Sequence, residues 1–279
     1  MLHKIIKGVA PVAAVVLSMG LVACDGVNIE INDSKGVPLS ELDLAGKTPG
    51  GIVLAGPDDV VVTDGDKLAI TVEGEAADHV RFTLDDDALG IMREKGNWSD
   101  KGKAIVRVTM PTPHEITIAG SGTVTAQSLK ASPKGKTGVT IAGSGDAKVA
   151  TIDADTLDLT IAGSGTFTGA GAAKSLKLTV AGSGTAATEG LKVEKAEVTV
   201  AGSGSAAFAS DGKVEANIMG SGEVKVAGNA TCTVKSMGSG KLTCTGGTSA
   251  TAADAAPDAP QAPEAPETPP APEAPGTGD

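Results

Sequence analysis

The 279 residues carry 34 acidic side chains against 23 Lys and Arg, a formal net charge of −11, and so anionic a chain is poorly matched to a phosphate backbone. Its only aromatic residues are Phe82, Trp98, Phe167 and Phe208, which removes the stacking platforms of single-strand binders and the sugar platforms that lectins often use. Nucleic acid is thereby excluded as a partner, and the length allows one large domain or two small ones.

Residues 1–23 read as an export signal. Lys4 and Lys7 supply the positive start, and residues 8–23 are apolar, uncharged and short for a membrane span. The run Leu21-Val22-Ala23-Cys24 resembles the lipobox of bacterial lipoproteins. That resemblance implies cleavage before Cys24, a diacylglycerol and an N-acyl chain (palmitate) on it, and attachment to a membrane through that lipid. The expected address is the bacterial cell envelope. Asp25 favours the periplasmic face of the inner membrane and leaves the outer membrane open. Residues 24–50 form a tether or a first strand: 27–32 alternate like a strand, and 39–44 have a weak helical pattern.

From residue 51 the pattern is β. Val60, Val61 and Val62 form one run. After an Asp64-Gly65-Asp66 turn, Leu68, Ile70 and Val72 alternate with Ala69 and Thr71. Residues 80–84, 89–92 and 104–110 are further strands, with Asp85-Asp86-Asp87 as a turn and Trp98 on a polar loop at 96–102. Neither acidic turn has the further oxygen ligands of a calcium loop, so both read as solvated turns. His79 and His114 have no Cys or Glu at zinc-ligand spacing. No metal or cofactor is expected.

Between residues 115 and 245 one tetrapeptide recurs. Ala-Gly-Ser-Gly places its glycines and serine at Gly120, Ser121 and Gly122, then at Gly143, Ser144 and Gly145, and at Gly163, Ser164 and Gly165. It returns at Gly182, Ser183 and Gly184, and at Gly202, Ser203 and Gly204. Met-Gly-Ser-Gly follows at Gly220, Ser221 and Gly222, and at Gly238, Ser239 and Gly240. Spacings of about 20 residues are those of a solenoid coil. Ahead of the corners, inward aliphatics alternate with Thr and charges: Ile116 and Ile118, Val139 and Ile141, Leu159 and Ile161, Leu178 and Val180, Val198 and Val200. A second short strand is expected after each corner, giving seven coils and a rod of roughly 30–35 Å at the spacing of stacked strands. Glycine lets the chain turn sharply where coils press together. The sequence leaves open whether the serines face in or out.

Strands follow every Gly-x-Gly here, so a phosphate loop, which needs a helix, is excluded. The outer column Glu115, Gly138, Asp158, Lys177, Glu197 and Glu215 reads as a solvated face rather than a catalytic carboxylate pair. With Cys24 lipidated, Cys232 and Cys244 form an even pair, which in an exported protein suggests a disulfide across the last coil. Residues 246–279 differ in kind. Eight prolines and six acids, with no Lys or Arg, give an acidic tail expected to be disordered.

The segments 56–63 (Gly-Pro-Asp-Asp-Val-Val-Val-Thr), 68–74, 105–111 and the serial Gly-Ser-Gly corners resemble a bacterial family named for an autotransporter-adhesin head, the head GIN domain. The resemblance covers about residues 51–245. It implies a right-handed parallel β-helix, exported, often as a lipoprotein, and it implies no catalytic residues. The fold expected is all-β: a single-stranded parallel β-helix, with less regular coils at 51–114 and the repeats at 115–245. The function expected is a lipid-anchored envelope protein with a non-catalytic binding, adhesion-like or structural role toward an envelope or extracellular partner, polysaccharide or protein. The alternatives are a carbohydrate-active β-helix enzyme and an envelope signalling or stress accessory.

Overall fold

The computed structural model describes residues 36–94 and 102–251. The export signal, Cys24, the 27–32 stretch, Trp98 and the tail beyond 251 lie outside the described residues. The strands in chain order are β1 (Gly51–Gly56), β2 (Asp59–Asp64), β3 (Ala69–Glu73), β4 (Val80–Leu84), β5 (Ala88–Arg93) and β6 (Ile105–Met110). They continue as β7 (Glu115–Gly120), β8 (Thr123–Lys130), β9 (Lys136–Gly143), β10 (Asp146–Gly163), β11 (Thr166–Gly182) and β12 (Thr185–Gly202). The last five are β13 (Ser205–Gly220), β14 (Glu223–Ala227), β15 (Thr231–Gly238), β16 (Lys241–Thr245) and β17 (Thr248–Thr251).

The strands stack as a parallel β-solenoid. On the face leading into the corners the order is β5, β1, β7, β9, β10, β11, β12, β13, β15, β17, every neighbour parallel. On the face leaving them it is β6, β2, β8, β10, β11, β12, β13, β14, β16. Ten rungs at ~4.8 Å make a column of about 45 Å. The Gly-Ser-Gly repeats supply the expected coils, and the strands from Gly51 onward extend the same stack.

Each coil has three sides, not two. Along β10 the inward residues are Ala147 and Val149, then Ile152 and Ala154, then Leu157, Leu159 and Ile161. Between these groups two consecutive residues face outward, at 150–151 and 155–156. Such a slip in a period-two pattern turns the strand onto a new face. The expected short second strand is therefore the start of a 16–18-residue strand that bends twice.

The core is a set of stacked columns. Ile52, Ile116, Val139, Leu159, Leu178, Val198 and Ala216 form one of them, all buried. Phe167 lies between Ala147 and Ala186 of adjacent rungs, so a large ring is matched by small neighbours.

The N-terminal coils are not in chain order. The β1–β2 coil lies between the β5–β6 coil and the β7–β8 coil. After β2 the chain moves to the end of the rod. There β3 and β4 pair antiparallel with β6 and β5, and the chain then lays down the end coil. Val37 bridges Phe82, and Leu39, Leu42 and Leu44 rest against the core beside a single 3-10 turn at Leu39–Glu41. Residues 36–50 thus form a cover over the capped end, while the rest of the 24–50 segment lies outside the described residues. At the other end β17 carries the stack past the expected boundary at 245, because residues 248–251 are small and β-branched enough to add a rung on β15.

At the corners each first glycine has positive φ, between 115° and 130° from Gly120 to Gly238. Each second glycine would point a Cβ at the rung below: at Gly145 it would lie 2.7 Å from both the Gly122 carbonyl and Ile118 Cγ2. A methyl at Gly163 would run into the Gly143 carbonyl. Gly163→Ala is therefore expected to lower stability by about 2–4 kcal/mol, and exposed Ser164→Ala to change it by less than about 0.5 kcal/mol. Urea unfolding of the two variants measures the contrast.

Candidate functional site

All seven corner serines, Ser121, Ser144, Ser164, Ser183, Ser203, Ser221 and Ser239, are exposed, so the hydroxyl ladder faces solvent. Their backbones are tied down. Ser144, Ser164, Ser183, Ser203 and Ser221 each donate N–H to the first glycine's carbonyl one rung below, at 2.9–3.0 Å. Beside the serines runs the outward column Ala119, Ala142, Ala162, Ala181, Ala201, Met219, Met237. The last two are exposed by 47% and 72%.

The acidic column has the predicted register, and within it only Glu197 and Glu215 are carboxylates on adjacent rungs. Lys213 bonds to Glu215 and, by that hydrogen bond first and by its charge second, holds the Glu215 carboxyl below the usual range. Asp85 Oδ1 accepts from the N–H groups of Asp87 and Ala88, and Asp86 bonds to Lys47 at 2.7 Å. The acidic triplet is thus occupied in closing the β4–β5 hairpin. His79 lies 3.8 Å from Glu94, whereas the His114 ring packs against Gly50. The two histidines sit in separate surroundings.

The third side of the coils holds a feature with no local signature in the sequence. An open groove of about 930 Å³ crosses β10, β11, β12 and β13. Its floor is the buried column Ala154, Ala173, Val193 and Ser210. Exposed Asp153, Asp155, Lys174, Lys192, Glu194 and Asp211 stand along it. The groove forms where the coil contracts. Thr188 pairs with Phe208 and Lys192 with Ala209, so residues 189–191 have no counterpart on β13. Along one wall the charges alternate rung by rung. Lys174 bonds to Asp155 at 2.6 Å, and this hydrogen bond, then the charges of Asp155, Glu194 and Asp153, raise the Lys174 pKa. Alternation avoids the repulsion that like charges would feel when stacked on neighbouring strands. The sequence signal was the fall in corner spacing from 20 to 18 residues.

The two ends of the corner column are closed differently. Gly56 stacks on Gly120, which puts Asp58 at the place of Gly122. One rung below, where β5 ends at Arg93 and β6 begins at Ile105, room exists for a side chain. Arg93 fills that room: Nε lies 2.6 Å from Asp58 Oδ2, Nη2 bonds to Asp58 Oδ1 and Gly102 O, and Ala104 N–H donates to Oδ1. Both side chains of this pair are 1% exposed. At the far end Cys232 on β15 and Cys244 on β16 are joined by a disulfide, with Cα atoms 6.7 Å apart. The bridge ties two faces of the last coil.

Parallel stacked coils, glycine corners and a capped N-terminal end define a β-solenoid. Residues 48–230 match the model of the family described as "Putative auto-transporter adhesin, head GIN domain", and the chain belongs to that family. Among curated proteins none matches the chain. Among solved structures it is similar to one described as a putative adhesin from Bacteroides fragilis, at 19% identity and TM-score 0.66, covering 71% of this chain and 93% of that one. A second, described as a putative adhesin from Parabacteroides merdae, has 20% identity and TM-score 0.55 over 72% and 97%. A third, described as a putative lipid binding protein from Parabacteroides distasonis, has 20% identity and TM-score 0.53 over 71% and 93%. At these identities the likeness is one of fold.

Removing one member of the buried pair leaves the other charged and unpaired. Asp58→Ala is expected to lower stability by about 3–5 kcal/mol, and Asp58→Ala combined with Arg93→Met by less than the sum of the single changes. Chemical unfolding of the three variants gives the coupling.

Proposed function

We propose that this protein is a lipid-anchored, non-catalytic adhesion-like rod of the bacterial cell envelope that binds an extended polar polymer, polysaccharide or peptide, along the groove on its third side. The observation that carries the reading is the groove itself: four rungs long, floored by small residues, with acids and lysines alternating along it. A rigid lattice of charges at strand spacing can meet the repeating hydroxyls, amides or charges of an extended chain without ordering loops first. The family's description as an adhesin head and the adhesin descriptions of two solved structures support an envelope or surface setting. The lipobox-like 21–24 run supports anchoring at Cys24. Cys24 precedes the cover at the capped end by eleven residues of sequence, so an anchor there would hold the rod through its N-terminal segment.

One observation favours a second reading. Asp153, Asp155, Glu194 and Asp211 gather in the groove with Lys174 and Lys192, as a carbohydrate-active solenoid would arrange its acids. A general acid needs a desolvated carboxyl to hold its proton, and all four of these are exposed. Binding is the better supported role.

Replacing Cys24 with Ser is expected to move the protein from the membrane to the soluble fraction on cell fractionation, and a variant that stays membrane-bound would count against the anchor. Lys174→Glu with Lys192→Glu is expected to cut binding to envelope polysaccharide or peptide fractions by tenfold or more, about 1.4 kcal/mol, without changing the unfolding midpoint by more than a surface substitution does. Reducing ends released from those fractions by the unmodified rod, and lost with Asp155→Asn or Glu194→Gln, would establish the enzyme reading instead.

A further inference from the structure

The last coil has an unusual charge balance. Residues 224–251 contain Lys225, Lys235 and Lys241 and no acid, whereas residues 252–279 contain six acids and no Lys or Arg. Lys225 bonds to Glu223. Lys235 and Lys241 are exposed, and neither makes an ion pair among the described residues, although the Lys235 charge adds a little to holding the Glu215 carboxyl down. They flank the corner that carries exposed Met237, which stacks on Met219. The place where the five-fold Ala-Gly-Ser-Gly motif changes to Met-Gly-Ser-Gly is therefore an apolar, cationic tip.

The geometry of the final rung says what reaches this tip. On β15, residues 231–234 are covered by β17, with Thr251 opposite Val234. Among the described residues none pairs over Lys235, Ser236, Met237 and Gly238, and all four are exposed. Because β17 runs parallel to β15, the chain at Thr251 is heading along that uncovered half. A register continued from Val234–Thr251 would set Ala252 opposite Lys235, Ala253 opposite Ser236 and Asp254 opposite Met237. None of these is proline, so each can extend a strand. The next position, Ala255, falls opposite Gly238, whose φ is +117°. Alanine is strained at such a φ, so a rung continued in this register would stop short of the corner, with the following acids within reach of the lysines.

We propose that the acidic tail docks onto the tip of its own rod. Residues 252–254 complete the rung over Lys235 to Met237, and the carboxylates that follow, beginning with Asp254 and Asp258, neutralise Lys235 and Lys241. Tethering supplies a high effective concentration for weak, salt-sensitive ion pairs. The segment covers an open parallel edge that would otherwise template pairing with another chain. The N-terminal end achieves the same closure with β3 and β4.

The experiment compares three forms of the mature protein: unmodified, a tail-neutral form (Asp254→Asn, Asp258→Asn, Glu264→Gln, Glu267→Gln, Glu273→Gln, Asp279→Asn), and a tip-reversed form (Lys235→Glu, Lys241→Glu). The readouts are the rate of peroxide oxidation of Met237, with buried Met110 as the reference, and amide exchange at 235–238. The unmodified protein at low salt is expected to oxidise Met237 about 3–10-fold more slowly than either variant, and the difference is expected to vanish in molar salt, where the screening length falls to ~3 Å. Combining the tip-reversed rod with lysines at the six tail positions is expected to restore protection. Equal Met237 rates in all forms at low salt would overturn the proposal. So would protection that grows with protein concentration, which would assign the tip to a second copy, or protection that arises only with phosphatidylglycerol vesicles, which would assign it to a membrane.

Discussion

The structure depends on one contact repeated along its length: a corner carbonyl accepting the N–H of the serine stacked directly above it. Ser164 donates to Gly143, Ser183 to Gly163 and Ser203 to Gly182, and the residue after each second glycine does likewise, Thr185 to Gly165 and Ser205 to Gly184. A side chain on either glycine would occupy the space that this bond needs. Glycine is thus demanded by the approach of two backbones, and its cost in chain entropy is offset by keeping the ladder unbroken through the turn. Once the corners are in register, the inward columns and outward rows are in register too.

Regularity makes the ends the difficult part of such a fold, since a stack of identical rungs has nothing to stop it. At the N-terminal end, two antiparallel strands and the 36–50 cover consume the edge. Asp58 and Arg93 fill the space that a missing corner leaves. A buried ion pair is a poor source of stability compared with apolar packing. Its value here is geometric, because a planar guanidinium can bond at once to a carboxylate and to the Gly102 carbonyl of the departing chain. The opposite end is thinner, with Val234, Leu242 and Cys244 only partly buried, and there a covalent bridge replaces packing.

The sequence was most legible where the repeat was strictest. The inward alternation of Leu159 and Ile161 or Val198 and Val200 is a period-two signal reinforced by every neighbouring coil, and those residues are buried. The third side was illegible for a corresponding reason. Its stretches are four or five residues long, its inward positions hold Ala154, Ala173 and Ser210, and small residues do not announce a face. The groove also depends on three residues of β12 lacking partners on β13, which is a relation between coils. The coil order at the N-terminus was equally hidden, because nothing local to β1 states that β5 will later be laid beneath it. Asp58 carried a faint signal, standing where the spacing from Gly56 calls for the second glycine of a corner.

That out-of-order coil has a mechanical consequence. β1 is hydrogen-bonded along both edges, to β5 on one side and β7 on the other. A force applied through the N-terminus therefore cannot peel the rod one rung at a time. It must shear two parallel ladders together, the geometry in which many hydrogen bonds share the load. Among the described residues, tension from the C-terminal side meets β17 first, a short strand paired there with β15 alone, and then stops at the Cys232–Cys244 bridge. A rod held at its N-terminal end would thus resist pulling at the end that bears it and yield first at the end that is free.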